Sequence, residues 1–202
     1  YCHSMGNGAG DYEDYFEMIE TYDCLCGGFI WEWCDHAIYK GKAANGKGIY
    51  YYGGDHGEYP NDGNFCMDGM VYPDRTPHTG LLEYKNVHRP VRVVSYNQTE
   101  GIVLLKNEMN YLSLQEYVDV TYEVTCDGAL VESGQLDLTD VPAIRPHQIG
   151  NVQLPVNVPE KGTVYLKLTY QLKHADAFRS QGYEHGFDEI LLENVDGSNR
   201  RV

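Results

Sequence analysis

A single change of pattern, at Val87-His88-Arg89-Pro90, decides what this 202-residue chain can become. Before it the sequence is rich in Gly, aromatic residues and His. After it Val, Leu and Thr recur with a period of two, the spacing of half-buried strands. Pro90 ends any helix that reaches it. One chain therefore carries two kinds of folding instruction, and a boundary at 89/90 separates them.

In the first part, Tyr12, Tyr15, Phe16, Ile19 and Tyr22 fall at helical spacing with acids between them. Asp11 is placed to cap this helix, and Glu13 and Asp14 suit its positive end. The run Gly27 to Cys34 is nearly continuous and apolar, which predicts a strand buried on both faces. His36 to His78 reads as one long loop punctuated by Gly41, Gly46, Gly48, Gly53, Gly54, Gly57, Gly63 and Gly69. Such length inside a compact unit points to function or disorder. Thr79 to His88, with Leu81, Leu82, Tyr84 and Val87, predicts a closing helix. Helix, buried strand, loop and helix is the pattern of a βα-barrel, with too few strands to close a ring of eight.

The second part predicts strands at 91–97, 101–106, 118–126, 129–138, 151–154, 162–173 and 186–193. Asp127-Gly128 marks a two-residue hairpin. Seven or eight short strands at this spacing suggest an antiparallel sandwich of the immunoglobulin-like kind.

Net charge is −15, from 30 acidic and 15 basic residues. That sign argues against nucleic acid or an anionic membrane as partner. No apolar run has the length of a membrane span, and the start shows no secretory leader. The cysteines are Cys2, Cys24, Cys26, Cys34, Cys66 and Cys126, with no CxxC and no His at ligand spacing from a Cys pair. They read as reduced thiols of a cytoplasmic protein. The 18 tyrosines offer faces and hydroxyls that suit a sugar, and equally suit strands.

Three blocks carry a resemblance. They are Tyr1-Cys2-His3-Ser4-Met5-Gly6-Asn7, then Gly27-Gly28-Phe29-Ile30-Trp31-Glu32-Trp33-Cys34-Asp35, then Gly53-Gly54-Asp55 through Asn61-Asp62-Gly63-Asn64-Phe65-Cys66-Met67-Asp68-Gly69 to Asp74-Arg75-Thr76-Pro77-His78. In this order they resemble the long bacterial β-galactosidases of glycoside hydrolase family 2. The second half is similar to the sandwich that follows the barrel there, chiefly at Gly182 to Asp188. The resemblance implies the C-terminal part of a (β/α)8 barrel over 1–89 and a β-sandwich over 90–202. It implies a retaining hydrolase of terminal β-D-galactosides such as lactose, working with two carboxylates about 5 Å apart. The nucleophile would stand immediately before Tyr1, with both carboxylates upstream and none here. The parent would be a homo-oligomer. The rival expectation is a non-catalytic scaffold or carbohydrate-binding piece.

The resemblance also implies roles. His3 would bind the C6 hydroxyl of galactose; taken alone it reads as a hydrogen-bonded structural histidine. Trp31 would form the apolar wall of the sugar site, against a barrel-core reading; Trp33 is left to the core or to support. The Phe65 carbonyl and the Asp68 side chain would meet a monovalent cation, sodium or potassium, that also touches the sugar. The family has Asn where Asp68 stands. Asn61 matches a position near a peripheral magnesium. Glu32, Asp35, Asp55 and Glu58 lie in the same neighbourhood and are read as solvated or turn-capping acids.

Overall fold

The computed structural model describes residues 1–6 and 8–193. It separates into two compact units, Tyr1–Val87 and His88–Val202.

In the first unit, α1 (Tyr12–Thr21) follows its apolar spacing. Tyr12 is fully buried and Phe16 partly so, whereas Tyr15 and Tyr22 face solvent. Asp11 stands at the N-cap position but makes no side-chain cap bond; its backbone is left-handed (φ 60°). α2 (Thr79–Val87) packs Val87, Leu81 and Tyr84 on Tyr12 and Met70. The Tyr12 hydroxyl donates to Met70 Sδ at 3.1 Å, which satisfies the polar end of a buried ring.

The expected loop over 36–78 contains a hairpin. β1 (Ile38–Lys42) and β2 (Gly48–Tyr51) pair antiparallel, with Ile38 opposite Tyr51. Asn45-Gly46 makes the turn, Gly46 at φ 83° and Asn45 Oδ1 accepting the Lys47 N–H. Glycine density had suggested irregular chain; here the glycines sit at the turn and strand ends. The remainder holds a 3-10 turn at Gly63–Cys66.

Gly27 to Cys34 is extended but is not a strand buried on both faces. It makes two isolated parallel bridges, His3 to Trp31 and Cys34 to Val71. Phe29, Trp31 and Trp33 are 91%, 60% and 64% exposed. Among the described residues its backbone pairs with Tyr1–Ser4 and with Asp68–Val71, while the rings of Phe29, Trp31 and Trp33 remain in solvent.

Among its described residues the second unit has seven strands in two antiparallel sheets. One has the order β3-β4-β7, from β3 (Val91–Asn97), β4 (Ile102–Asn107) and β7 (Ile149–Gln153). The other has the order β6-β5-β8-β9, from β5 (Val118–Cys126), β6 (Ala129–Gln135), β8 (Val164–Leu172) and β9 (Glu184–Leu192). Alternate residues from both sheets meet in one core: Val103, Leu105 and Val152 from the first, Val120, Val124, Leu166, Leu168 and Tyr170 from the second. Burial of each such aliphatic chain contributes about 1.5–3 kcal/mol before ordering costs. The β5–β6 turn is Asp127-Gly128 with φ 49° and 81°, the positive pair a two-residue hairpin needs. A short helix, α3 (Leu114–Tyr117), was not expected; four residues show no period, though its Ser113/Glu116 capping box was visible.

Candidate functional site

The first unit brings three separated segments side by side. The Trp31 N–H donates to Cys2 O at 3.3 Å, and the Ser4 N–H to Trp31 O at 2.9 Å. On the other side the Glu32 N–H donates to Asp68 O at 2.8 Å, and the Met70 and Val71 N–H groups to Trp33 O at 3.0 and 3.1 Å. The His36 N–H closes the far end on Cys66 O at 2.8 Å. The segment bearing Trp31 is thus the middle rail of a short ribbon. Gly69 is required here: a Cβ on it would lie 2.1 Å from the Asp35 nitrogen. Gly28 plays the same part for the Tyr1 ring, which comes within 2.1 Å of where its Cβ would be.

This pairing assembles side chains. Asp68 is 1% exposed; its Oδ2 lies 3.6 Å from His3 Nε2. Its Oδ1 is buried without a hydrogen-bond partner. A carboxylate oxygen so placed costs free energy unless a proton or cation meets it. Glu32 adjoins it. Burial, and then the hydrogen bond with Asp68, push the Glu32 carboxyl above the usual carboxylate range. His36 Nδ1 lies 3.6 Å from Glu32 Oε1. The imidazole of His3 reaches solvent beside Asp68, and Trp31, paired through its backbone with Cys2 and Ser4, is 60% exposed.

His3, Trp31 and Asp68 therefore converge. Phe65 sits in the 3-10 turn that leads into Asp68, its ring 65% exposed. Asn61 does not join them. Its Nδ2 donates to Glu58 O and its Oδ1 accepts the Gly63 N–H, both at 3.1 Å, so it shapes its own loop. Among the acids set aside on sequence, Asp55 and Glu58 bind backbone amides of that loop. The Gly54 amide leads the contacts that hold Glu58 below the usual carboxylate range. Glu32 is different, since it borders Asp68, and Asp35 pairs with His78 at 2.8 Å. Nothing in a linear reading links positions 36 and 43 residues apart; only the ribbon does. Among the described residues, no group of three or more His, Cys, Asp and Glu side chains is arranged to hold a metal ion. The lone oxygen of Asp68 does fit a hard cation completed by carbonyl or solvent oxygens.

The first unit thus presents an indole, an imidazole and buried acids on one short ribbon, and a two-sheet unit follows it. Residues 1–93 match the family described as "Glycosyl hydrolases family 2, TIM barrel domain", and residues 103–193 match "Beta-galactosidase, domain 4". A β-galactosidase of Actinobacillus pleuropneumoniae is 40% identical over 194 residues, covering 95% of this chain and 18% of that protein. One from Staphylococcus xylosus is 39% identical over 197 residues, covering 96% and 19%. One from Klebsiella pneumoniae is 49% identical over 142 residues, covering 70% and 14%. The chain belongs to glycoside hydrolase family 2. It spans about a fifth of the length of the first two of these relatives.

Proposed function

We propose that this chain is part of a retaining β-galactosidase and supplies one wall of its galactose site. The observation that supports this most is the convergence of His3, Trp31 and Asp68 through backbone pairing across 65 residues of sequence. In this reading Trp31 offers its indole face to the C–H face of the pyranose, and His3 hydrogen-bonds the C6 hydroxyl. The two carboxylates come from sequence preceding Tyr1 and perform the double displacement. The first unit is then the closing part of an eight-stranded barrel, and the second an immunoglobulin-like sandwich. The exposed rings of Phe29, Trp31 and Trp33 are consistent with barrel strands beside them in the parent enzyme.

A monovalent cation, sodium or potassium, would sit on Asp68 Oδ1 with the Phe65 carbonyl, where it would bind sugar hydroxyls and offset buried charge. Asn61 suits a magnesium ion poorly, because both ends of its amide already hold its own loop. No step is assigned to magnesium. All six cysteines are unpaired, which supports a cytoplasmic setting. No helix among the described residues is long and apolar enough to cross a membrane. The parent would act on lactose and related galactosides as a homo-oligomer.

The test is turnover of a chromogenic β-galactoside. The 202-residue chain alone is expected to show none at high concentration, and the full-length enzyme carrying it to be active. Sustained turnover by the purified chain alone would place the catalytic pair within it and overturn the assignment.

A further inference from the structure

Asp35 is 4% exposed, and both oxygens of its carboxylate are engaged. Oδ1 accepts the N–H of Gly69 at 2.8 Å, the residue next to Asp68. Oδ2 lies 2.8 Å from His78 Nε2. The Asp35 N–H donates to Val71 O at 3.0 Å, and the His78 N–H to Met70 O at 3.0 Å. The His78 ring stacks on Tyr72, centroids 3.7 Å apart and planes 24° apart, which fixes the ring plane. Tyr72 is itself tied by its N–H to Thr76 O at 2.8 Å.

These contacts form a clamp on one short piece of backbone. Residues 69–71 are held by Asp35 from one side and His78 from the other, and the two holders bond to each other. Gly69 lies so close to Cys34 and Asp35 that no side chain fits there. The peptide before it carries Asp68, whose carbonyl accepts the Glu32 N–H and whose carboxylate faces His3. A buried carboxylate would be costly without such partners, so the pair is kept together by the same burial that makes it rigid. A shift of the 69–71 backbone moves Asp68 relative to both His3 and Trp31.

We propose that Asp35 and His78 are positioning residues of the sugar site: their hydrogen bond fixes Gly69, and through it the Asp68 carboxylate, against the segment that bears Trp31. This rests on reading His3, Trp31 and Asp68 as substrate contacts. Asp35 and His78 act through the backbone they hold. Loosening them misplaces a binding group, and small misplacements in a preorganised site are costly.

The experiment uses the full-length enzyme that carries this segment, with kcat and KM for an aryl β-galactoside, inhibition by free galactose, and the thermal midpoint. His78→Gln brings an amide nitrogen near the reach of Nε2, while His78→Asn reaches only as far as Nδ1. His78→Asn is expected to raise KM and the galactose inhibition constant about tenfold with kcat within about twofold, and His78→Gln to restore most of the loss. Tyr72→Ala, which removes the stacking surface, is expected to raise KM in the same way and serves if His78→Asn does not fold. Equal effects of Gln and Asn, or a lowered midpoint with kinetic constants unchanged in the cold, would overturn the proposal. An unmodified enzyme inert toward galactosides would instead defeat the functional reading on which it stands.

Discussion

Trp31 is held by its backbone and free at its ring. Its N–H and C=O pair with Cys2 and Ser4, while the indole is 60% exposed. A ring in that state contributes little to the core of this unit, which gathers around Tyr12, Met70 and Val87 instead. In the full-length enzyme, Trp31→Ala is expected to weaken galactoside binding by a few kcal/mol, the range of truncated aromatics at well-packed sites, and Trp31→Phe to keep part of it. Kinetic constants measured with melting curves separate this from a packing role: a much lower midpoint with unchanged constants would make Trp31 core. Asp176 gives a residue-scale prediction of another kind. The Arg179 side chain, with the Phe178 and Arg179 amides, lowers its carboxyl to about 2. The folded value lies below the usual one near 4, so the ionised form favours folding at neutral pH and that contribution fades as pH falls from about 4 toward 2. The pair is at the surface, so the effect is small and salt-sensitive. Denaturant midpoints of Asp176→Asn should lie slightly below wild type at pH 7 and converge with it near pH 2.

At the scale of elements, one acid ties the two sheets of the second unit together. Asp188 on β9 accepts from Arg89 at 2.8 Å, from the Val93 N–H on β3 at 3.0 Å, and from the Tyr170 hydroxyl on β8 at 2.5 Å. Burial, then the charge of Asp188, drives the Tyr170 hydroxyl well above its ordinary value, so it remains a donor. Arg89 is only 10% exposed. Asp188→Ala is expected to cost about 3–5 kcal/mol in chemical denaturation, because it removes the carboxylate from a largely buried guanidinium and takes this acceptor from the Tyr170 hydroxyl and the Val93 amide. Tyr170→Phe should cost less, about 1–3 kcal/mol, since Arg89 and Val93 keep their acceptor. The strands themselves were legible. The alternation Val118, Val120, Val124 appears in the structure as buried positions, and Asp127-Gly128 as the turn. The run at 27–34 was misread because a hydrophobic string says that partners are wanted, and says nothing of which partners the chain supplies.

For the molecule as a whole, the two units differ in how they are held. The sandwich buries a continuous core drawn from both sheets, whereas the cluster of the first unit gathers on three buried residues, Tyr12, Met70 and Val87, beside a ribbon whose rings are exposed. Residues 88–202 are accordingly expected to fold alone. In the 202-residue chain, hydrogen exchange should be slow for amides of β5 and β8 and fast for those of residues 1–87. Equal protection in both units would contradict this, as would a sandwich fragment lacking cooperative unfolding.

The sequence by itself determined the two-part division near Pro90, the two helices to within a residue of their ends at 12–21 and 79–87, the strands of the sandwich, and, through three motif blocks, the family. These are local or repeating properties: spacing, turn chemistry and side-chain type act over a few residues at a time. Only the tertiary structure decided that Glu32 borders Asp68, that Asp35 meets Gly69 and His78, and that Asn61 serves its own loop. Those pairings join positions tens of residues apart, and their chemistry arises from desolvation and close backbone approach, which exist only once the chain has closed on itself.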